Sequence, residues 1–519
     1  MSACLIGNGQ PVALSRIPCL GIDAFRAQIL ERVQGGQRIC SLFGLEGEPL
    51  RLIVVLADDA ASKLSVFSTT VESRYRALTP ECPQAHMFER ELAEQWGVIP
   101  EGHPWLRPAR FQPPCRPAKT PDDAAPEQAL SSSSCQPCLP GVADFFCVKG
   151  EEIHEVAVGP VHAGVIEPGH FRFQCHGETV FHLEISLGYQ HRGIERALPG
   201  GPHKRTLAQI ETVAGDTTVG HTIAYCQAIE ALSGCRVPAR AQALRAVGLE
   251  LERLANHTGD LGALAGDVGF LPTSSFCGRI RGDFLNMTAL LCGSRLGRGL
   301  IRPGGVGFDL DPVDRFENLT AGLEKARIDA RTAIQLIWDT PAVLSRFEGT
   351  GTVSREACRD LGLVGPAARA CGFVRDVRLD FPLGRYGLSK IPSVHDPELR
   401  HGDVEARAFV RFAEIENSLQ YLAELLSALP VGDILDPAAR NLTAALTADS
   451  LVVSLVEGWR GEICHTAITD AHGRFARYKI VDPSFHNWIG LGLALRNQAV
   501  SDFPLCNKSF NLSYCGFDL

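Results

Sequence analysis

Residues 159–173, Gly159-Pro-Val-His162-Ala-Gly-Val-Ile-Glu-Pro-Gly-His170-Phe-Arg-Phe173, place glycines and prolines around two histidines and then run into an apolar-alternating segment. Gly and Pro interrupt regular structure, so the stretch reads as a loop that feeds a strand. Loops held on a rigid scaffold carry sites more often than the elements they join, which makes His162 and His170 candidate functional residues. Short strand patterns flank the loop at Ile153–Val158, Phe171–Cys175 and Thr179–Leu187.

Further along, the apolar period changes to 3.6. Leu207–Leu232, Ala241–Leu264 and Ala408–Leu429 read as amphipathic helices, and Pro437–Leu446 as a shorter one with Pro in its first turn. Residues 146–519 are therefore expected to form a mainly helical domain with a small β-sheet at its entrance. Upstream, residues 113–145 are rich in Pro, Ser and Ala with little apolar period, which is linker composition. Residues 1–112 read as a smaller domain of helix and strand. Arg51–Ala57 and Leu64–Ser68 have strand patterns, Met87–Trp96 has helical spacing, and Gly97–Pro104 reads as a loop. The fold class expected for the whole chain is α+β.

The bulk numbers restrict the function. At 519 residues the chain is too long for one ordinary core. Its formal net charge of −9, from 50 Lys plus Arg against 59 Asp plus Glu, argues against nucleic acid as a partner. No export signal is read at the N-terminus, and no apolar run reaches the roughly 20 residues of a membrane-spanning helix. Membrane attachment is therefore expected through partner subunits. The 18 cysteines read as reduced, mostly buried thiols rather than a disulfide framework. The one close pair, Cys135-Gln-Pro-Cys138, has no second pair nearby to complete a zinc site. No GxGxxG loop follows a strand, so no bound NADH is expected.

Taken together, the motifs resemble a known family. Residues 159–173 are similar to the opening of group 4 [NiFe]-hydrogenase large subunits and of the related complex I 49-kDa subunit. The resemblance continues in family order through Gly188-Tyr-Gln-His-Arg-Gly-Ile-Glu195, Glu250-Leu-Glu-Arg-Leu-Ala-Asn-His257, Gly365-Pro366 with Arg369, Arg375-Asp376-Val377-Arg378, and Glu457-Gly-Trp-Arg-Gly-Glu462. Glu89-Arg-Glu-Leu-Ala-Glu-Gln-Trp-Gly97 followed by Gly102-His103-Pro104 resembles the complex I 30-kDa subunit. Such a fusion is typical of hydrogenase-4 and formate hydrogenlyase large subunits. The resemblance implies a peripheral subunit on the cytoplasmic side of the inner membrane. Its partners would be a small iron–sulfur subunit, with a [4Fe–4S] cluster, and antiporter-like membrane subunits.

The same resemblance exposes a departure. Hydrogenases of this family hold nickel and iron through four thiolates, which are soft ligands suited to these metals. Here the four positions fall on Ala214, Thr217, Ser513 and Gly516, with Cys515 off register and Cys506 upstream of the motif. No metal and no hydrogen chemistry are expected, and the stop at Leu519 leaves no tail for a maturation protease. The complex I version of the site implies a quinone pocket with a loop His backed by an Asp. His170, or His162, would fill the first place and Asp267 the second; a carboxylate there would keep the imidazole protonatable. The Tyr of that pocket falls on Gly215, so the second quinone oxygen would need Thr217, Thr218 or Tyr514. No cofactor bound by this chain alone is expected, quinone being the candidate ligand. Asp216, Thr217, His221 and Asp267 form a candidate proton-relaying cluster. Plainer readings stand beside these. His221 and His257 suit hydrogen-bonded core positions. Arg375, Asp376 and Arg378 suit a structural ion-pair set, and Asp260 and Asp267 share a helix face where one serves as a cap or salt-bridge partner. The rival function is a non-catalytic coupling subunit with a vestigial cavity.

Overall fold

β-Branched and aromatic runs build the first sheet of the chain, which we describe from a computed structural model covering residues 3–115, 144–162, 166–311, 313–384, 400–437, 439 and 446–519. Strands β1 (Cys4–Ile6), β2 (Val12–Ala13), β3 (Cys19–Leu20), β4 (Arg38–Leu45), β5 (Leu50–Asp58) and β6 (Lys63–Val71) occupy its N-terminal part. Four of them pair in the order β1-β6-β5-β4, and β3 joins β6 in parallel. The antiparallel register sets Val54 against Phe67 and Val55 against Val66. Helices α1 (Ile22–Gln34) and α2 (His86–Trp96) pack on this sheet. The expected strands and helix of this region thus form: α2 begins one residue earlier, β5 is longer by one residue at each end, and β6 by one residue at its start and three at its end. The expected loop after α2 contains a short strand, Ile99–Glu101, paired with Arg74–Arg76.

Around the opening loop, β7 (Ile153–Val158), β8 (His170–His176) and β9 (Thr179–Ser186) form an antiparallel sheet in the order β9-β8-β7. A helical layer follows: α3 (Thr218–Ser233), α4 (Ala239–Asp267), α5 (Leu271–Cys292), α6 (Val313–Trp338) and α7 (Val404–Ser427). The helix expected over Leu207–Leu232 is in fact broken. A one-turn helix at Thr206–Ile210 and α3 are separated by residues 211–217, because Gly215 and Asp216 interrupt the apolar period. The linker core, the Cys135–Cys138 pair and most of Pro437–Leu446 lie outside the described residues.

A second sheet was not expected. β10 (Ser450–Gly458), β11 (Gly461–Thr469) and β12 (Phe475–Val481) form an antiparallel meander, and β2 adds to the edge of β10. Every residue of β10 and β11 is buried. Val452, Val456, Ile463 and Ala467 face the helical core, while Leu451, Val453, Leu455 and Cys464 face a core shared with the N-terminal sheet. A sheet covered on both faces loses the polar/apolar alternation that would identify it in sequence. The chain ends in α8 (Pro483–Ala494), α9 (Phe503–Phe510) and α10 (Tyr514–Asp518). Among the described residues, no helix is long and apolar enough to cross a membrane.

The N-terminal region and the rest of the chain meet over a buried, charged seam. Arg38 forks onto Glu462 at 2.5 and 2.6 Å, Lys479 reaches Glu91 at 2.6 Å, and Arg375 meets Asp59 at 3.2 Å. Below the second sheet, the buried Glu414 accepts from Arg369 at 2.8 Å and from His257 at 2.8 Å. Arg378 pairs with Asp376 and Glu250. The Arg375–Arg378 segment and His257 thus take the ion-pairing and core roles described as their plainer readings.

Candidate functional site

The break at residues 211–217 creates the site. Thr218 Oγ1 donates back to the Glu211 and Gly215 carbonyls, both at 3.1 Å, which closes the turn before α3 begins. The first amides of α3 are then satisfied from a neighbouring helix: Glu252 on α4 accepts from Val219 N at 2.7 Å and Gly220 N at 3.1 Å. Burial pushes the Glu252 carboxyl up to about 8, with Asp216 adding to the rise and the two amides opposing it.

The β10–β11 hairpin reaches this turn with Trp459 and Arg460. Trp459 Nε1 donates to the Asp216 carbonyl at 3.0 Å and to Thr217 Oγ1 at 3.1 Å. The Arg460 guanidinium stacks on Trp459 at 3.9 Å and forks onto the Asp216 carboxylate at 2.6 and 2.7 Å. It also donates to Thr217 Oγ1 at 3.2 Å and, through Nε, to the Asn511 carbonyl at 2.6 Å. One arginine therefore ties the α3 turn to the C-terminal segment. Burial works to raise the Asp216 carboxyl, but the Arg460 charge and hydrogen bonds outweigh it and hold the group below the usual carboxylate range.

A second chain of polar groups runs inward from the same place. Asp482 caps α8 by accepting from Ser484 N at 2.8 Å, and its other oxygen lies 3.0 Å from His221 Nε2. His221 Nδ1 is 3.0 Å from His465 Nε2, and His465 Nδ1 is 2.9 Å from the Tyr478 hydroxyl. All four residues are buried. Burial opposes ionisation of Asp482, but His221 and then Arg460 outweigh it and keep the carboxyl low. An ionised carboxylate only accepts, so His221 donates to Asp482 from Nε2. The directions of the His221–His465 and His465–Tyr478 bonds follow from whether His221 Nδ1 carries a proton. Burial, and then His221, keep His465 well below the ordinary imidazole range, consistent with a neutral ring. The result is a continuous hydrogen-bond wire from Asp482 to Tyr478, able to pass a proton to or from the Asp482 end.

Of the four positions carried over from the hydrogenase pattern, Ser513 and Gly516 lie at that end, and Thr217 meets Arg460. Ala214, Thr217, Ser513 and Gly516 are all buried. Ser513 Oγ is used as the cap of α10, accepting from Gly516 N at 2.9 Å. A Cβ at Gly516 would lie 2.7 Å from the Asp482 carboxylate and 2.9 Å from Ser513 Oγ. The Cys515 thiol lies 3.4 Å from Ser513 Oγ, and burial together with Glu167 pushes it up to about 12.

The opening loop meets the same C-terminal turn. Glu167 accepts from Tyr514 N at 3.0 Å, and Gly169 sits where a Cβ would strike the Tyr514 ring at 2.5 Å. His162 Nε2 lies 3.1 Å from the Gly169 carbonyl, and His170 Nδ1 lies 3.2 Å from the Gly159 carbonyl. The structure does not bring His170 and Asp267 together as a hydrogen-bonded pair. Asp267 is exposed at the C-terminal end of α4, where partial burial of its carboxyl raises it and Lys508 opposes the rise. Asp260, one face-repeat earlier, pairs with Arg411 at 2.9 Å. Of the expected polar cluster, Asp216, Thr217 and His221 converge and Asp267 stands apart. Sequence reading passed over Asp482, His465, Tyr478 and Glu252. Only Asp482 carried a local signal, as an Asp-Pro pair at a helix start.

Comparison with known proteins agrees with this architecture. Residues 267–518 match the family model of the respiratory-chain NADH dehydrogenase 49 Kd subunit. The chain is 30% identical over 447 residues to formate hydrogenlyase subunit 5 of Escherichia coli (strain K12), covering 85% of this chain and 76% of that one. It is 30% identical over 359 residues to the carbon monoxide-induced hydrogenase of Rhodospirillum rubrum, covering 69% and 97%. The fold also matches a chain from the structure of the membrane-bound sulfane sulfur reductase, an archaeal respiratory membrane complex. There the TM-score is 0.66 at 24% identity, over 71% of this chain and 99% of that one. The chain belongs to the family that unites the 49-kDa subunit of respiratory NADH dehydrogenase with the large subunits of membrane-bound hydrogenases.

Proposed function

We propose that this chain is the peripheral large subunit of a membrane-bound oxidoreductase complex. In this reading a protein-only proton-transfer site stands where hydrogenases of the family hold nickel and iron. The observation that carries it is the place of Asp482, whose carboxylate lies 2.7 Å from where any Cβ at Gly516 would be. The Asp482–His221 pair takes the space a thiolate would need. The residues at the four positions do not fit a nickel–iron centre: a methyl group, two hydroxyls and a hydrogen replace four soft sulfurs. Stoichiometric nickel in the purified chain would overturn this.

The complex works on the cytoplasmic side of the membrane. Electrons arrive from a [4Fe–4S] cluster in a small partner protein, the wire takes up or releases the matching proton, and antiporter-like partners couple the step to ion movement. The acceptor class is a quinone. It would meet His162 or His170 singly, since neither ring is paired with Asp267. That lack of pairing favours the second reading, a coupling role with no redox chemistry at this site. Asp482→Asn separates the two, because it keeps shape and size while removing the charge that orients His221. In the assembled complex, electron transfer should fall at least tenfold with the set of bound partners unchanged; general acid–base groups contribute on the order of 10²–10⁴. Unchanged electron transfer in a complex with the same partners would establish the coupling role instead.

A further inference from the structure

Between the N-terminal region and the rest of the chain lies a cavity of about 310 Å³ that the site above does not use. Its walls come from α2, the loop after it, β9 and α8. Trp105, Phe111, Leu183, Leu187, Trp488 and Leu493 make them largely apolar. Phe517, next to Gly516, closes one side. The volume is at the lower end of small-molecule pockets, which are mostly apolar with a few placed polar groups.

Three of the polar groups are arginines, Arg90, Arg107 and Arg496. None forms an ion pair among the described residues. Arg90 donates only to neutral partners, the carbonyls of Arg107 and Pro108 at 2.7 Å each and the Met87 sulfur at 3.6 Å. Burial brings its guanidinium down to about 10, with Glu94 and Glu184 opposing the fall and Arg107 adding to it. The one acid in the wall, Glu184, accepts from Phe146 N at 2.8 Å; burial raises its carboxyl, and that amide and then Arg107 and Arg90 oppose the rise. His182 stacks on Trp105 at 5.1 Å, and its Nε2 has no hydrogen-bond partner among the described residues. A buried guanidinium normally keeps a carboxylate or phosphate beside it, because an uncompensated charge in an apolar wall is costly. Here Glu94 and Glu184 offset Arg90 only from beyond ion-pair distance, and among the described residues no carboxylate forms an ion pair with any of the three arginines.

We propose that this cavity binds a compact amphipathic carboxylate, its apolar body between Trp105 and Trp488 and its acid group toward Arg90 and Arg107. The site is independent of the proton-transfer reading. Charge complementarity sets the ligand class: an apolar box with surplus positive charge selects an anion with a hydrophobic body over a neutral molecule of the same shape.

The test uses the purified full-length chain and 2-naphthoate, with the uncharged 2-naphthamide as control. Binding is read by calorimetry and by quenching of tryptophan fluorescence. Naphthoate should bind with Kd below about 1 mM, and naphthamide at least tenfold more weakly, as loss of one charge-assisted pair predicts. Arg107→Ala removes a side chain that makes no hydrogen bond to the described residues, and it should erase most of that preference. Gly492→Leu fills the cavity from α8, where an added Cβ meets only the Leu183 carbonyl at 3.5 Å; it should abolish binding while thermal unfolding stays unchanged. No naphthoate binding, equal binding of both probes, or binding that survives Gly492→Leu would each overturn the proposal.

Discussion

Gly516 and Asp482 show how single residues fix the character of the site. The Asp482 carboxylate cannot swing freely away from Gly516, because His221 and Ser484 N hold its two oxygens. Gly516→Ala should therefore destabilise the protein by about 1–3 kcal/mol, the usual cost of overpacking. The same change in an Asp482→Ala background should cost less, because of the close contacts only Ser513 Oγ at 2.9 Å remains. A thermal or denaturant double-mutant cycle measures this coupling. Additive effects would mean that Gly516 is required for another reason.

At the scale of elements, α3 depends on α4 for its cap. Glu252 stands in for the side-chain cap that Thr217 does not supply. Its folded value of about 8 lies above the ordinary value of about 4.3, so the folded protein holds this proton more tightly than the unfolded chain. The stabilisation from that proton is full below pH about 4.3 and is lost as pH rises toward 8. Glu252→Gln keeps one of the two acceptors for the helix amides, sets an amide donor against the other, and cannot titrate, so the slope with pH rather than the absolute stability is the readout. Between pH 5 and 8, the wild-type minus variant stability should therefore fall by up to about 1.4 kcal/mol per pH unit. Parallel stability curves for the two proteins would show that Glu252 is ionised throughout. Asp216, held low by Arg460, contributes the opposite slope at acid pH. Its side chain is 36% exposed, so solvent screens the pair and the effect is small.

At the scale of the molecule, the seam from Arg38–Glu462 to Lys479–Glu91 makes the N-terminal region part of the same body as the site. The long buried β10–β11 hairpin contributes to both: Glu462 meets Arg38 while Arg460 meets Asp216. A tagged chain recovered from gently solubilised membranes of its host should bring down a small iron–sulfur protein and large antiporter-like membrane proteins, identified by mass spectrometry. Metal analysis of the same preparation should find iron from the partner and no stoichiometric nickel. Recovery of the chain alone would remove the membrane-coupling part of the proposed function.

Family membership, the strands beside the opening loop and the amphipathic helices α4 and α7 were all legible in the sequence. They depend on local period, on Gly and Pro punctuation and on motifs whose order survives when single ligands change. The resemblance assigns nickel-ligand positions to Ala214, Thr217, Ser513 and Gly516, none of which is a cysteine. The polar network beside Gly516 was not legible. Asp482, His221, His465 and Tyr478 come from strands and helices up to 261 positions apart, and nothing in a linear pattern ties them together. The double-faced sheet β10–β12 gave no alternation to read, and the capping role of Glu252 is invisible on its own helix. The expected His170–Asp267 pair failed to form because each residue's position along the chain says nothing about which way its side chain finds a partner. Only tertiary packing decided that His170 turns to a backbone carbonyl, that Asp267 stays at an exposed helix end, and that the buried Asp482 carboxylate lies against Gly516.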